Sequence, residues 1–335
     1  MKSIDVFCHL MPKKYAELAM NESPNRSHMF VRALKTQAMS DMDYRGEVIK
    51  KFPGYKQIPN IVSPPVEALA GPDKSPKIAA VGNDEIKEIT EKYPEYYEGF
   101  IAGIPFNNVS ASVDEIRRCK EMGAKGVQIY THMNGEAIDQ EKFWPIYEIC
   151  EKLELPILIH PVGGQMIPEY PTEERSKYEL WFLIGWPYQT TVAMCRLAFA
   201  GIYEDFPNLK IVTHHVGAMI PMLEGRIGNG LKMYGGRTAP ELKETLTKTK
   251  MKGDPLDTFK KFYADTASFG SASAIRAGID FFGKDHILFA SDMPFDPEKG
   301  PGYIDRTIKC IDQLQLSEED QAAILYGNAQ RIFHV

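Results

Sequence analysis

Short apolar runs of about five residues recur along the chain, and each is followed by a longer segment that mixes apolar and charged positions. The runs are almost continuously apolar, which is typical of strands that helices cover on both faces of a parallel sheet. The pattern therefore predicts an α/β protein with parallel strands at residues 4–8, 99–104, 126–130, 156–160, 210–214, 262–265 and 286–290.

The segments between these runs have the apolar spacing of amphipathic helices. In 113–122 the apolar residues recur at every third position with charged residues between them, and 143–153 likewise places its large apolar side chains on one helical face. Alternation of strand and helix predicts a parallel α/β architecture. With an eighth apolar run near 56–61, we expect a (β/α)8 barrel, built as a single domain from residues 1–335.

Two stretches interrupt this alternation. Residues 11–80 are long, polar and rich in proline, and residues 162–190 contain two of the three tryptophans, Trp181 and Trp186. Insertions that follow barrel strands lie on the face where active sites form. We therefore expect both stretches to be insertions on the C-terminal face, and the aromatic one to form a lid or a subunit contact.

Composition and charge exclude several classes of protein. The net charge is −6, whereas a nucleic-acid-binding surface would be basic and clustered. No apolar stretch approaches the ~18 residues that a membrane-spanning helix needs, and the first residues lack the apolar core of a signal peptide. Five dispersed cysteines are typical of reduced thiols, which predicts a cytoplasmic protein: Cys8, Cys119, Cys150, Cys195 and Cys310.

Polar side chains stand where several predicted strands end. His9 ends the first run, His160 ends the run at 156–160, His214 ends the run at 210–214 and is followed by His215, and Asp292 follows the last run. The carboxyl ends of barrel strands converge on one pocket, so residues far apart in the chain can share an ion there. Imidazole nitrogens and a carboxylate suit Zn²⁺, Mn²⁺ or Fe²⁺.

These motifs and the segments around them resemble the amidohydrolase superfamily, in the branch of aminocarboxymuconate-semialdehyde, γ-resorcylate and 5-carboxyvanillate decarboxylases. The most specific block is GWPYQTTVAMCRLAFAGIYEDFPNLKIVTHHVGAMIPMLEGRI at 185–227. The resemblance covers nearly the whole chain and also includes the segments 5–12, 91–106, 123–135, 155–161, 262–268 and 287–295.

The resemblance implies a role for each matching residue. His9 matches the second member of a first-strand pair of metal ligands, and His160 matches the metal-binding histidine after the fifth strand. His215 matches the catalytic histidine after the sixth strand, directly preceded by His214. Asp292 matches the aspartate after the eighth strand, which binds metal and serves in proton transfer.

The first-strand pair departs from the family pattern. The chain reads Phe7-Cys8-His9, so phenylalanine stands where the family has a histidine or glutamate ligand. Because strand side chains alternate, we expect Phe7 to point with His9 toward the site and Cys8 to point toward the helices. Three protein ligands, His9, His160 and Asp292, can hold a catalytic zinc. Weakened metal binding and a metal-free site both remain open.

The resemblance implies a carbon–carbon lyase, in which a divalent metal, zinc or manganese, gathers the carboxylate of an aromatic or dienoic acid. Asp292 then donates the proton if its pKa is raised enough, and His215 assists proton traffic. A hydrolase of lactones, amides or cyclic compounds and a non-catalytic binding barrel are the alternatives. The resemblance and the insertion at 162–190 also predict a homodimer.

Several other side chains are weaker candidates. Arg226 and Lys125 are candidates for holding a substrate carboxylate, although both also fit ordinary surface positions. Trp186 and Tyr188 are candidates for the pocket wall, with core packing as the alternative. Asp265, at the end of the run at 262–265, is a candidate partner of a ligand or a cap.

Overall fold

The computed structural model describes residues 2–23 and 28–335. For His28 it describes the backbone alone. The strands are β1 (Ser3–Asp5), β2 (His9–Leu10), β3 (Tyr55–Gln57), β4 (Asn60–Ile61), β5 (Ile101–Gly103), β6 (Gly126–Tyr130), β7 (His132–Met133), β8 (Glu136–Ala137), β9 (Ile157–His160), β10 (Ile211–Thr213), β11 (Tyr263–Asp265) and β12 (Ile287–Leu288).

Helices follow most of the strands. The α-helical segments are α1 (Lys13–Glu22), α2 (His28–Leu34), α3 (Met42–Ile49), α4 (Val66–Leu69), α5 (Ser75–Lys92), α6 (Val109–Glu121), α7 (Trp144–Lys152), α8 (Leu180–Leu183), α9 (Gly185–Ala200), α10 (Ile202–Asp205), α11 (His214–Gly217), α12 (Glu224–Lys232), α13 (Pro255–Phe259), α14 (Ala272–Phe282), α15 (Pro301–Gln313), α16 (Glu318–Ala322) and α17 (Asn328–Phe333). Short 3₁₀ segments lie at Gln37–Met39, Glu141–Phe143, Pro221–Leu223, Pro240–Thr245 and Lys284–His286, and a π-helical turn at Ala323–Gly327.

The parallel strands close into a ring. Strands β5, β6, β9, β10, β11 and β12 form one sheet in that order, while β1 pairs with β3 and β2 with β4. Backbone hydrogen bonds join the two ends: Val6 N donates to Phe289 O at 3.1 Å, Asp292 N donates to Phe7 O at 3.0 Å, and Ile101 N donates to Pro59 O at 2.9 Å. The predicted (β/α)8 barrel is confirmed, with β1–β2 and β3–β4 each acting as one interrupted barrel strand.

Alternation along the strands separates two apolar layers. In β9, Ile157 and Ile159 belong to the cluster between barrel and helices, whereas Leu158 belongs to the cluster inside the barrel. Both faces are buried, which explains why the strand sequences are continuously apolar. His160 follows Leu158 by two residues, so its side chain is also directed inward, at the carboxyl end of the strand.

Side-chain caps mark where several outer helices begin. The Asn108 side chain accepts a hydrogen bond from Ala111 N at the start of α6, and the Ser271 side chain accepts one from Ala274 N at the start of α14. Such caps satisfy amide groups that the first helical turn leaves without partners. Buried Ile116 and Cys119 then hold α6 against the barrel, in the segment that the spacing assigned to a helix.

The observed strands correspond to the predicted runs but are shorter. The run at 126–130 forms β6 over its full length, whereas the run at 286–290 forms only β12 and then pairs with the first strand through Phe289. Between residues 11 and 80 the chain forms α1 to α4 and the start of α5, and it also supplies β3 and β4. Among the described residues, none of the helices has the length and apolar character needed to cross a membrane.

Candidate active site

The polar residues at the strand ends meet at one mouth of the barrel. His9 lies in β2, His160 is the last residue of β9, His214 follows β10 and Asp292 lies four residues after β12. Their exposed fractions are 0% for His9, 3% for His160, 0% for His214 and 6% for Asp292. Residues as much as 283 positions apart are therefore brought together in a buried cluster.

His9 is fixed from two sides. Its Nε2 lies 2.9 Å from Oδ1 of Asp292, and its backbone carbonyl accepts a hydrogen bond from the buried guanidinium of Arg45 at 2.7 Å. Arg45 also donates to Oε1 of Gln57, so the strand end that carries His9 is tied to α3 and β3. His9 and Asp292, both expected as metal ligands, are therefore in direct contact with each other.

His214 lies between two carboxylates. Its Nδ1 is hydrogen-bonded to Oδ2 of Asp265, and its Nε2 lies 3.5 Å from Oδ1 of Asp292. Burial acts to lower the pKa of His214, but Asp265 and Asp292 outweigh it and raise the pKa to about 9. Asp265, which the sequence left open as a ligand partner or a cap, is therefore the hydrogen-bonding partner of a histidine in the site.

The segment carrying His215 has a left-handed backbone. φ is 59° at His215, 60° at Val216 and 69° at Gly217, so α11 is a turn that redirects the chain at the end of β10. Consecutive non-glycine residues with positive φ are unfavourable and occur where a site needs the geometry. The turn exposes part of His215 to a cavity, while His215 Nδ1 donates to the Ala267 carbonyl at 3.0 Å. Burial and the adjacent His214 lower the pKa of His215 to about 4.

Asp292 also has a positive φ, 64°, and it lies at the floor of the same cavity. Burial acts to raise the pKa of Asp292, but the neighbouring His214 and the hydrogen-bonded His9 outweigh it and hold the pKa well below its usual range. The raised pKa that the sequence analysis required for proton donation is therefore absent from the resting site, where Asp292 is a carboxylate.

The donor set fits a divalent metal ion. Two sets of side chains have ligand atoms within 4.8 Å of one another: His9, His160 and His214, and His214, His215 and Asp292. Nδ1 of His9 and Nε2 of His214 are buried without a hydrogen-bond partner. Buried nitrogen atoms without partners are costly unless a ligand satisfies them. The sequence placed His214 among the candidate ligands at strand ends, although the family resemblance gave it no role of its own, and it is common to both sets.

Phe7 and Cys8 lie on opposite sides of the first strand, as their alternation predicted. Phe7 belongs to the cluster inside the barrel, and its ring stacks on His214 with centroids 3.9 Å apart. Cys8 belongs to the outer cluster, its Sγ lies 3.8 Å from the carbonyl oxygen of Asp5, and burial raises the pKa of its thiol well above the usual value. Cys8 therefore does not replace the ligand missing at position 7.

A cavity of about 720 Å³ opens above the cluster. His160, His215 and Asp292 line its floor, and Phe182 and Trp186 from the 162–190 stretch form part of its wall. This volume is in the range of pockets that bury a small organic ligand. Trp186 lines the cavity, as predicted, and the part of the 162–190 stretch around Phe182 and Trp186 lies beside the site.

The structure places the other candidates elsewhere. Lys125 contacts the backbone of His334, Arg226 is exposed, and Tyr188 is 59% exposed; none of the three is among the residues lining the cavity. The basic side chain that does line it is Arg32, from α2. Its guanidinium packs on Phe182 and Phe295, with its carbon 5.9 and 5.4 Å from the ring centroids. No sequence motif marks Arg32, since its position depends on how the chain between β2 and β3 folds.

Comparison with known proteins gives a consistent result. A family model described as Amidohydrolase matches residues 4–335. A 2-amino-3-carboxymuconate-6-semialdehyde decarboxylase of Dictyostelium discoideum is 29% identical over 265 residues, covering 78% of this chain and 67% of that protein. A γ-resorcylate decarboxylase of a Polaromonas species is 28% identical over 313 residues, covering 90% of this chain and 89% of that protein.

Solved structures share the fold. The crystal structure of a 5-carboxyvanillate decarboxylase from Novosphingobium aromaticivorans, which contains bound manganese, superposes with a TM-score of 0.82 and 19% identity. The match covers 100% of this chain and 97% of that one. At this identity the likeness establishes the barrel fold, whereas the chemistry has to be argued from the site.

Proposed function

Since this chain belongs to the amidohydrolase family, we propose that it is a metal-dependent, non-oxidative decarboxylase of a small aromatic or dienoic carboxylic acid. The observation that carries the proposal is the buried cluster of His9, His160 and Asp292, of which His160 and Asp292 line the cavity together with His215. The curated relatives described above are decarboxylases of such acids.

His9, His160 and Asp292 are the proposed metal ligands, with Zn²⁺ as the first choice and Mn²⁺ as the alternative. Nitrogen donors with a carboxylate suit either ion. The Nδ1 of His160 donates to the Pro161 carbonyl at 2.6 Å, which fixes the ring and leaves Nε2 for a ligand. When bound, such an ion supplies Lewis acidity toward the oxygen atoms of the substrate.

Arg32 is the proposed anchor of the substrate carboxylate or of a neighbouring oxygen. Its guanidinium lies near the rings of Phe182 and Phe295, and its N–H groups are proposed to make bidentate hydrogen bonds to an anion in the cavity. Apolar walls around it, including Met29, Phe182 and Phe295, exclude water and match an aromatic ring.

The proposed reaction replaces a carbon–carbon bond by a carbon–hydrogen bond. As CO₂ leaves, the bonding electron pair stays on the substrate carbon, and a proton must reach that carbon. Asp292 is proposed to deliver it, because a bound substrate carboxylate would repel its negative charge and raise its pKa. His215, whose ligand nitrogen lies within 4.8 Å of that of His214 and of Asp292 Oδ, is proposed to bring the proton from the cavity.

The direct test measures ¹³CO₂ released from carboxyl-labelled acids by protein loaded with Zn²⁺ or Mn²⁺. The panel should contain γ-resorcylate, 5-carboxyvanillate and aminocarboxymuconate semialdehyde. We expect turnover of at least one acid, lowered by ~10² or more in Asp292→Asn because a proton-transfer group is lost. Asp280→Asn, a matched change at an exposed site, should leave turnover unchanged.

Two outcomes would overturn this proposal. Opening of lactones or amides without CO₂ release would identify a hydrolase built on the same residues. Binding of small acids without turnover of either class would identify a binding barrel instead.

We also propose that the protein is a cytoplasmic homodimer. All five cysteines are free thiols, as in proteins of a reducing compartment. Large apolar side chains exposed along 162–190 support a contact with a second copy, since such patches mark interfaces. They include Met166, Ile167, Tyr170, Tyr178, Leu183 and Ile184.

A further inference from the structure

We propose that His214 is a ligand of the metal site and supplies the donor that Phe7 removes. This inference rests on the proposed metal dependence of the function, and it assigns a fourth protein ligand beside His9, His160 and Asp292. The sequence alone indicated a three-ligand site on account of the missing donor at position 7.

The packing of Phe7 and His214 supports this assignment. The two rings are nearly parallel, with an interplanar angle of 17° and centroids 3.9 Å apart. Phe7 also lies beside His9 and His160, with centroids 6.3 and 6.0 Å away. The imidazole of His214 is therefore placed directly on the ring that occupies the ligand position, at the inner end of the histidine cluster.

The free nitrogen of His214 is directed into the cluster. Nε2 is buried without a hydrogen-bond partner, and the ligand nitrogens of His9, His160 and His214 lie within 4.8 Å of one another. The same Nε2 lies 3.5 Å from Oδ1 of Asp292, which is 2.9 Å from His9 Nε2. An ion held by these groups would satisfy the nitrogen that the protein leaves without a partner.

The other ring nitrogen of His214, Nδ1, is paired with a carboxylate, as is characteristic of metal-binding histidines. Nδ1 of His214 is hydrogen-bonded to the Asp265 carboxylate, and Asp265 Oδ1 accepts from Val216 N at 3.2 Å and from Ala267 N at 3.0 Å. A carboxylate on Nδ1 fixes the tautomer and raises the basicity of Nε2 as a ligand. The orientation of His214 is thus set by residues on β11 and on the turn after β10.

A purely structural His–Asp pair would not need this arrangement. Such a pair is satisfied by the hydrogen bond at Nδ1, whereas Asp292 Oδ1, 3.5 Å from Nε2, makes no hydrogen bond to the second nitrogen, and burying that nitrogen unsatisfied is costly. A ligand role accounts for the unpaired nitrogen, for the carboxylate behind the ring and for the tolerance of phenylalanine at position 7.

The test measures metal binding directly, by chelator competition for Zn²⁺ and by the visible absorption of the Co²⁺-loaded protein. We expect His214→Ala to weaken Zn²⁺ affinity by at least ~10², since even loss of a residue that supports a ligand costs 10–100-fold. The Co²⁺ absorption should change with it. His286→Ala, a histidine stacked on Tyr263 outside the cluster, should leave affinity and absorption unchanged.

Two further variants separate ligation from folding. Asp265→Asn keeps His214 but removes the carboxylate, and should weaken Zn²⁺ affinity by about 10–100-fold. The double variant Phe7→His with His214→Ala should recover most of the lost affinity, because it returns a donor to the first strand. Recovery also shows that His214→Ala had not simply unfolded the barrel.

Unchanged Zn²⁺ affinity in His214→Ala, or no Zn²⁺ binding by the unaltered protein, would overturn the inference. These readouts do not depend on turnover. If His214→Ala loses metal binding but the unaltered protein decarboxylates no acid, the proposed reaction alone is refuted. If the unaltered protein decarboxylates an acid and His214→Ala binds metal equally well, the ligand assignment alone is refuted.

Discussion

At the scale of single residues, Arg32 is the side chain of the cavity that most directly favours an acidic substrate. Arg32 is half-buried, and no carboxylate of the described residues lies within ion-pair distance of its guanidinium. A cation that lies near aromatic rings in a cavity, without a carboxylate partner from the protein, is matched by an anionic ligand. The carboxylate of a substrate satisfies this requirement.

We predict that Arg32→Met raises KM for the acid substrate by at least about tenfold with a smaller effect on kcat. A charge-assisted hydrogen bond contributes about 1.5–3 kcal/mol, and this one is made in the ground state as well as during reaction. Steady-state kinetics measure the effect, with Arg226→Met at an exposed position as the control. A fall in kcat at constant KM would instead place Arg32 in the chemical step.

Some residues of the site could be predicted from the sequence pattern and others could not. His9, His160 and Asp292 stand at the ends of apolar runs, and this pattern predicts them as neighbours at one end of the barrel. Arg32 had no such signal, because its position depends on the path of a long connection. His214 had the same strand-end signal, but its contact with Asp265 and its place in the cluster depend on how the turn after β10 folds. The low pKa of Asp292 likewise depends on spatial neighbours that are distant in sequence.

At the scale of elements, the left-handed turn after β10 is held by α14. Gly278 in this helix faces Val216, and a β-carbon at Gly278 would lie 2.5 Å from Val216 Cγ1. A β-carbon at Gly217, within the turn, would likewise lie 2.5 Å from Cζ of Phe282 at the end of the same helix. The close approach of helix and turn fixes His215 at the cavity floor.

We predict that Gly278→Ala lowers kcat by at least about tenfold and destabilises the fold by about 1–3 kcal/mol. The added methyl group overpacks this contact and displaces the turn, and small displacements of a catalytic group have large effects on rate. Kinetics and urea unfolding measure the two effects. Gly225→Ala in α12, where a β-carbon meets no atom within 4 Å, is the control and should retain full activity. Equal behaviour of the two variants would contradict the role of this contact.

The elements were predictable to different degrees. Continuous apolar runs revealed the existence and order of the barrel strands, because burial on both faces leaves no polar positions. Their ends were less predictable: the first run continues as β1 only to Asp5, with β2 beginning beyond the run at His9, and Phe289 pairs with Val6 beyond the end of β12. Both changes come from closing the ring, which a local pattern does not encode.

At the scale of the whole molecule, the first strand joins the two ends of the barrel. We propose that residues 1–335 act as one barrel domain with insertions at about 11–80 and 162–190. Asp5, fully buried in β1, accepts hydrogen bonds from Tyr55 Oη of β3 at 2.6 Å and from the Ser291 hydroxyl beyond β12. Its Oδ1 also accepts from the amides of Ser291 and Phe7, both at 3.2 Å.

The stabilising effect of Asp5 depends on pH. Burial raises the pKa of Asp5 to about 6 from its ordinary value of 3.8, although its hydrogen bonds act in the opposite direction. Between these pH values the folded protein retains a proton that the unfolded chain has lost. Stability contributed by Asp5 is therefore greatest below pH 3.8 and declines as the pH rises to about 6, above which it is constant.

We predict that Asp5→Ala destabilises the fold by about 3 kcal/mol or more even at pH 7.5, because it leaves buried hydroxyl and amide donors on three strands without an acceptor. Urea unfolding followed by tryptophan fluorescence measures the loss. Ser3→Ala in the same strand is the matched control: its hydroxyl is buried without a hydrogen-bond partner, so removing it should change stability by less than about 0.5 kcal/mol. Coincident unfolding curves for the two variants would show that the Asp5 hydrogen bonds do not hold the barrel closed, and that backbone pairing through Val6 and Phe7 is sufficient.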